Sequence, residues 1–138
     1  MNRNKYHGGC LCGKVRFEIT GGIHDIIYCH CSQCRKAQGS AFATNGNVAT
    51  DRFNFISGEN ELTGYESTPG QIKYFCKYCG SPIISKNKSS PNKVRVRLGT
   101  IESDIIERPA AHIFVTSKAN WEEIEGDLPQ YETYEPGR

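Results

Sequence analysis

The chain reads as a mainly β protein with one or two short helices, and three features predict this class. Short segments alternate apolar and polar residues with period two, clusters of glycine, proline and serine separate them, and both stretches of helical character are brief. The first strand is marked by Val15, Phe17 and Ile19, a second by Ile72, Tyr74 and Cys76, and a third by Val94, Val96 and Leu98. Side chains two residues apart on a strand share a face, so each triplet implies a half-buried strand. Turns between them come from Gly21-Gly22, Gly58, Pro69-Gly70 and Ser89-Ser90-Pro91. One short helix is predicted over Ser32 to Gly39, with Ser32 capping a turn that holds Cys34, Arg35, Lys36 and Ala37. A second is predicted over Ser117 to Ile124, with Ser117 capping Lys118-Ala-Asn-Trp121. The polar tail after Pro129 is expected to lie loosely on the surface.

At 138 residues the whole chain, 1–138, fits one domain with a core of its own. The N-terminal residues contain no apolar leader, and no segment approaches the roughly 20 apolar residues of a membrane span. A soluble cytoplasmic protein is expected, in a compartment that keeps thiols reduced. Net charge is +2, from 17 basic and 15 acidic residues that are interspersed along the chain. This balance gives no support to nucleic-acid binding. The most basic stretch runs from Lys86 to Arg97, where Arg95 and Arg97 alternate with Val94, Val96 and Leu98, the pattern of a strand's solvated face.

The seven cysteines fall into three tight groups: Cys10 with Cys12, Cys29 with Cys31 and Cys34, and Cys76 with Cys79. Short spacers let one turn aim two sulfurs at one ion, and an odd count cannot be absorbed in a disulfide framework. Metal binding is therefore favoured over a redox dithiol. Cys12 and Cys79 are each followed at once by glycine, Gly13 and Gly80, which lets the backbone turn so that amides face thiolates. Together the two pairs make a four-thiolate structural zinc site whose binding energy is folding energy.

Cys29, Cys31 and Cys34 are too few to close a tetrahedron, and three protein ligands are the count of a catalytic zinc. His30, His24, His112 and His7 are the candidates to close the site instead, and a pairing of the trio with the other cysteines is a further alternative. His30 is the least suited, because its side chain on an extended segment points away from an ion shared by its two neighbours. Zinc with three thiolates already carries a net negative charge, which weakens it as a Lewis acid toward water. An incoming thiol suits such a site better, so nucleophilic sulfur chemistry on a small electrophile is expected.

The segments Gly8-Gly-Cys-Leu-Cys-Gly-Lys-Val-Arg-Phe17, Cys29-His-Cys-Ser-Gln-Cys-Arg-Lys36, Phe75-Cys-Lys-Tyr-Cys-Gly-Ser81, Gly99-Thr-Ile101, His112-Ile-Phe-Val115 and Ser117-Lys-Ala-Asn-Trp121 together resemble the glutathione-dependent formaldehyde-activating enzyme (CENP-V/GFA) family. The resemblance runs over about residues 6–130. It implies an Mss4-like, mainly β fold with two zincs, a structural one on Cys10, Cys12, Cys76 and Cys79 and a catalytic one on Cys29, Cys31 and Cys34. It also implies a carbon-sulfur lyase that forms S-(hydroxymethyl)glutathione from glutathione and formaldehyde. The same fold serves elsewhere as a non-catalytic, zinc-stabilised binding module, which is the alternative.

An acidic thiol docking at the trio needs cationic partners, and Arg35, Lys36 and Lys118 are the candidates by motif. Gln33 and Ser40 are candidates to hydrogen-bond a hemithioacetal hydroxyl. His30 and His112 are candidates for proton transfer, although a lone histidine on a strand is more often structural. Trp121 is expected to pack in the core or at its rim.

Overall fold

The computed structural model describes residues 5–137. Among the described residues, ten strands form two sheets, and one α-helix accompanies them. In chain order the elements are β1 (Lys5–Gly9), β2 (Arg16–Thr20), β3 (His24–Cys29), α1 (Ser32–Gln38), β4 (Ala43–Ala49), β5 (Phe53–Ser57), β6 (Leu62–Thr68), β7 (Gln71–Cys76), β8 (Pro82–Asn87), β9 (Lys93–Arg97) and β10 (Ala111–Ile113). The smaller sheet has the order β1-β2-β5, and the larger has the order β10-β3-β4-β9-β8-β7-β6. All ladders are antiparallel except β10 beside β3. The mainly β expectation holds, and the fold is that of an Mss4-like protein.

Alternation along the strands decides what is buried. Val15, Phe17 and Ile19 are fully covered, and they meet Ile83, Ile84, Val94 and Val96 of the larger sheet in the principal core. Phe17 stacks on Phe53 of β5, with ring centroids 4.9 Å apart. A second, smaller cluster lies around Ile27, Ala43, Ala111 and Ile113 and contains Cys29 and Cys34. The three-cysteine segment is therefore built into a core instead of hanging on a loop.

Five sequence-based expectations need correction. The first helix forms, but Cys31 is its N-cap in place of Ser32: extended backbone at Cys31 lets its Sγ accept from the Cys34 N–H, and Gly39 closes the other end in the left-handed region at φ 66°. The second helix does not form. Instead Val115–Ser117 make a single 3₁₀ turn after Phe114, whose φ is 56°, and the chain leaves at Lys118 in extended conformation. Trp121 is 67% exposed, so it is no core residue. The tail is not loose: the His112 N–H donates to Pro129 O, Tyr131 N–H to His112 O and Phe114 N–H to Thr133 O. Tyr131 also packs on the cluster around Cys29.

The fifth correction concerns β9. Arg97 is only 4% exposed and Arg95 is half-buried, so the polar side of this strand faces protein as well as solvent. No helix among the described residues is long and apolar enough to cross a membrane.

Candidate metal centres and the cavity beside the trio

Two cysteine groups come together in space. Ligand atoms of Cys10, Cys12, Cys76 and Cys79 lie within 4.8 Å of one another, and so do those of Cys29, Cys31 and Cys34. In the first group the turn after β1 meets the turn between β7 and β8, so this site joins the two sheets. Sγ of Cys10 is 3.5 Å from Sγ of Cys12, which is 3.8 Å from Sγ of Cys76. Sulfurs tetrahedral about zinc at the usual bond length would stand about 3.8 Å apart, so the donor set fits that ion. Gly13 and Gly80 have φ of 84° and 78°, the left-handed conformation these sharp turns need. The Val15 N–H donates to Cys10 Sγ at 3.3 Å, and Leu11 N–H donates to Ser81 Oγ at 3.0 Å. The Val15 donor lowers the cost of holding thiolates together.

The second group is formed by the end of β3 and the start of α1. Cys29 closes the strand, Cys31 caps the helix and Cys34 sits on its first turn, so one change of secondary structure converges three sulfurs. The Cys34 N–H lies 3.3 Å from Cys31 Sγ. Hydrogen bonds from Cys29 and Cys34 hold the Cys31 thiol far below its ordinary range, while the same Cys31 contact pushes Cys29 far up. Three sulfurs this close cannot all ionise without a cation between them, so the donor set fits a soft metal ion. Among the described residues, no histidine or carboxylate joins this trio. All four histidines lie within that range.

His30 is fully buried, and its Nε2 is 2.9 Å from His112 Nδ1. Burial, aided by His112 and Lys118, lowers the His30 pKa to about 4, and burial also lowers that of His112. Tyr28 stacks against His112 at 4.9 Å. The pair is a buried aromatic ensemble beside the trio, and its geometry agrees with the expectation that His30 points away from the sulfurs.

A cavity of about 310 Å³ opens beside Cys34. Its walls include Asn45, Lys73, Ser85, Arg95 and Arg97, with Lys86 and Lys93 farther along, and no carboxylate lines it. Arg97 Nε donates to Gln38 Oε1 at 3.0 Å, and Nη1 lies 3.4 Å from Ser85 Oγ. Burial pulls the Arg97 pKa down, and the nearby Cys34 sulfur pushes it back up.

The sequence-derived substrate contacts are placed differently. Arg35, Lys36, Gln33, Ser40 and Lys118 do not line this cavity; Gln33, Lys36 and Ser40 are exposed, and Lys118 Nζ donates to Glu122 O at 2.8 Å. Sequence reasoning did not bring Asn45, Lys73, Arg95 and Arg97 together as the lining of one cavity. The signal was present in the alternation itself: Lys73 lies between Ile72 and Tyr74, as Arg95 lies between Val94 and Val96. Only strand order turns those separate polar faces into one wall.

A two-sheet β protein with one four-cysteine and one three-cysteine cluster defines the class: a fold with two prospective metal centres, only one of which has four protein ligands among the described residues. The model of the family described as glutathione-dependent formaldehyde-activating enzyme matches residues 5–117, and the chain belongs to that family. Its fold is also similar to the crystal structure of a Rhodobacter sphaeroides protein, with a TM-score of 0.62 and 22% identity. That similarity covers 90% of this chain and 98% of the other.

Proposed function

We propose that this chain is a carbon-sulfur lyase of the S-(hydroxymethyl)glutathione synthase type, which activates glutathione or a similar thiol for addition to a small carbonyl such as formaldehyde. The observation that carries this reading is the three-sulfur cluster with no fourth protein ligand, set beside a cavity at Cys34. Family membership supports the same chemistry. Cys29, Cys31 and Cys34 would hold the catalytic zinc, and Cys10, Cys12, Cys76 and Cys79 the structural one. Zinc bound to the trio would keep an incoming thiol as thiolate at neutral pH.

The chain's own residues supply placement. β3 and α1 fix three sulfurs in a core, so the reacting thiol is held while the carbonyl compound enters from the cavity. The new bond joins sulfur to the carbonyl carbon, and the thiol's proton ends on the carbonyl oxygen. The spontaneous addition is already easy, so orientation and sulfur activation are all the protein needs to provide. Lys118, close enough to influence His30, and Arg35, Lys36, Gln33 and Ser40 around α1 are secondary contacts for substrate arriving from the helix side.

The test is the rate at which glutathione and formaldehyde equilibrate with their adduct, followed by NMR exchange with and without the zinc-loaded protein. Acceleration that vanishes in Cys31→Ser supports the proposal. Absence of any acceleration overturns it in favour of a zinc-stabilised binding module.

A further inference from the structure

A second cavity, of about 340 Å³, lies between the end of α1 and the β6, β7 and β8 part of the larger sheet. Ala37, Tyr65, Phe75 and Pro82 give it apolar walls, its charged lining is Lys73 and Arg97, and no carboxylate lines it among the described residues. Register explains the mixture. Tyr65 of β6 stands opposite Lys73 of β7, Lys73 opposite Ser85 of β8, and Ser85 opposite Arg95 of β9, so these four share one face of the sheet. Phe75 and Arg97, two residues on from Lys73 and Arg95, share it too. The β6 side of this face is aromatic and the β9 side is cationic, and Lys73 and Arg97 line both cavities.

The helix links the second cavity to the trio. Cys34 lines the first cavity and Ala37 the second, and residues three apart on a helix are neighbours, with about 5 to 6 Å between their Cβ atoms. A ligand of modest length therefore reaches from the trio into the apolar walls. Neither Tyr65 nor Phe75 stacks on another aromatic ring among the described residues, which leaves their faces for a ligand. A carbonyl compound of two heavy atoms takes the space of a water or two, at about 30 Å³ each, and fills little of this cavity. Apolar walls with a few polar groups, in a cavity of this size, suit a larger organic ligand.

We propose that the second cavity binds the side chain of the electrophile, and that the thiol's partner is an aldehyde carrying an aromatic ring. The proposal rests on the reading of the trio as a thiol-activating centre and deepens it by naming the class of carbonyl compound. The ring sits among Tyr65, Phe75 and Pro82, and the carbonyl points back past Ala37 toward Cys34. Sulfur adds to the carbonyl carbon, the π pair of the C=O bond moves to oxygen as an alkoxide, and the proton released by the thiol returns to that oxygen. Arg97 is 4% exposed and donates to Gln38 Oε1 at 3.0 Å, with Ser85 Oγ 3.4 Å from Nη1, so it offers the developing alkoxide a fixed positive charge.

NMR exchange rates for glutathione with acetaldehyde and with phenylacetaldehyde test this, because the two share the reacting group and differ by the ring. Zinc-loaded protein should show kcat/KM at least tenfold higher for phenylacetaldehyde. Ala37→Phe, which fills the cavity from an exposed helix position, should bring the ratio of the two close to one with little change in melting temperature. Tyr65→Ser, at a position 64% exposed, removes one wall and should lower the same ratio at least threefold. Equal acceleration of the two aldehydes by the parent protein overturns the aromatic site and leaves thiol activation standing. A second readout involves no chemistry: 2-phenylethanol, which has the ring and no electrophile, should produce saturable shifts of the Tyr65 and Phe75 ring signals that are lost in Ala37→Phe. Such shifts without acceleration of either aldehyde support the ring site and remove thiol activation. Absence of saturable shifts in the parent protein overturns the proposal.

Discussion

Replacing Cys12 and replacing Cys31 should have different consequences for stability, and the difference follows from chain topology. Neither change opens a cavity in the core, since Cys12 is exposed and Cys31 only half-buried. What differs is the length of chain each site closes. Cys12 and Cys76, whose sulfurs are 3.8 Å apart, are separated by 64 positions, whereas Cys31 and Cys34 are separated by 3. Closing a loop costs the unfolded chain entropy that grows with the logarithm of its length. For a loop near 64 residues, the entropy lost by a cross-linked unfolded chain corresponds to about 4 kcal/mol. The longer closure exceeds one of about 5 residues by roughly 2 kcal/mol. For a chain of this size, 1 kcal/mol moves the melting temperature by about 3 to 4 °C. Cys12→Ser should therefore melt about 15 °C below the parent protein, and at least about 7 °C below Cys31→Ser. Calorimetry or circular dichroism on metal-loaded samples, with metal counted by mass spectrometry, reads both quantities. Equal melting temperatures for the two variants would refute the division into a site that holds the sheets together and a site that serves a substrate.

Other consequences are more local. Phe17→Ala removes a ring 1% exposed that stacks on Phe53, and should cost about 3 to 5 kcal/mol, read by urea denaturation. Truncation after Pro129 deletes Tyr131 and the backbone bonds that residues 131 and 133 make to His112, Phe114 and Val115; the shortened chain should melt earlier and release metal from the trio faster to a chelator. Burial holds folded His112 below its ordinary pKa, so the unfolded form binds more protons as pH falls through about 6.5. Its contribution to stability is then present at higher pH and is lost on acidification below that value. Imidazole NMR signals should place the His112 midpoint below the ordinary 6.5, and titration at or above 6.5 would contradict the burial argument.

The cysteine grouping and the strand alternation carried most of the architecture. Short-range signals worked because they report local geometry: the Gly13 and Gly80 turns, the Val15, Phe17 and Ile19 face, and the Gly39 stop after α1 are each decided within a few residues. Cys31 took the cap from Ser32 because its sulfur lies where both the trio and the helix N–H groups need an acceptor, a tertiary demand that cap preferences do not contain. The stretch after Ser117 has helical composition, yet the left-handed Phe114 and the returning tail leave it no surface to pack along as a helix. The cationic wall was illegible for a different reason. Lys73 and Arg97 are 24 positions apart in sequence (97 − 73), and only the order β9-β8-β7 brings them to one cavity.

A native mass spectrum of the zinc-loaded protein, recorded with and without glutathione, tests the central claim most directly. Two zincs per chain, a glutathione adduct in the parent protein, and one zinc with no adduct in Cys31→Ser are the results this account predicts. Two zincs with no adduct at any glutathione concentration would contradict it and would make the trio a closed, inert site.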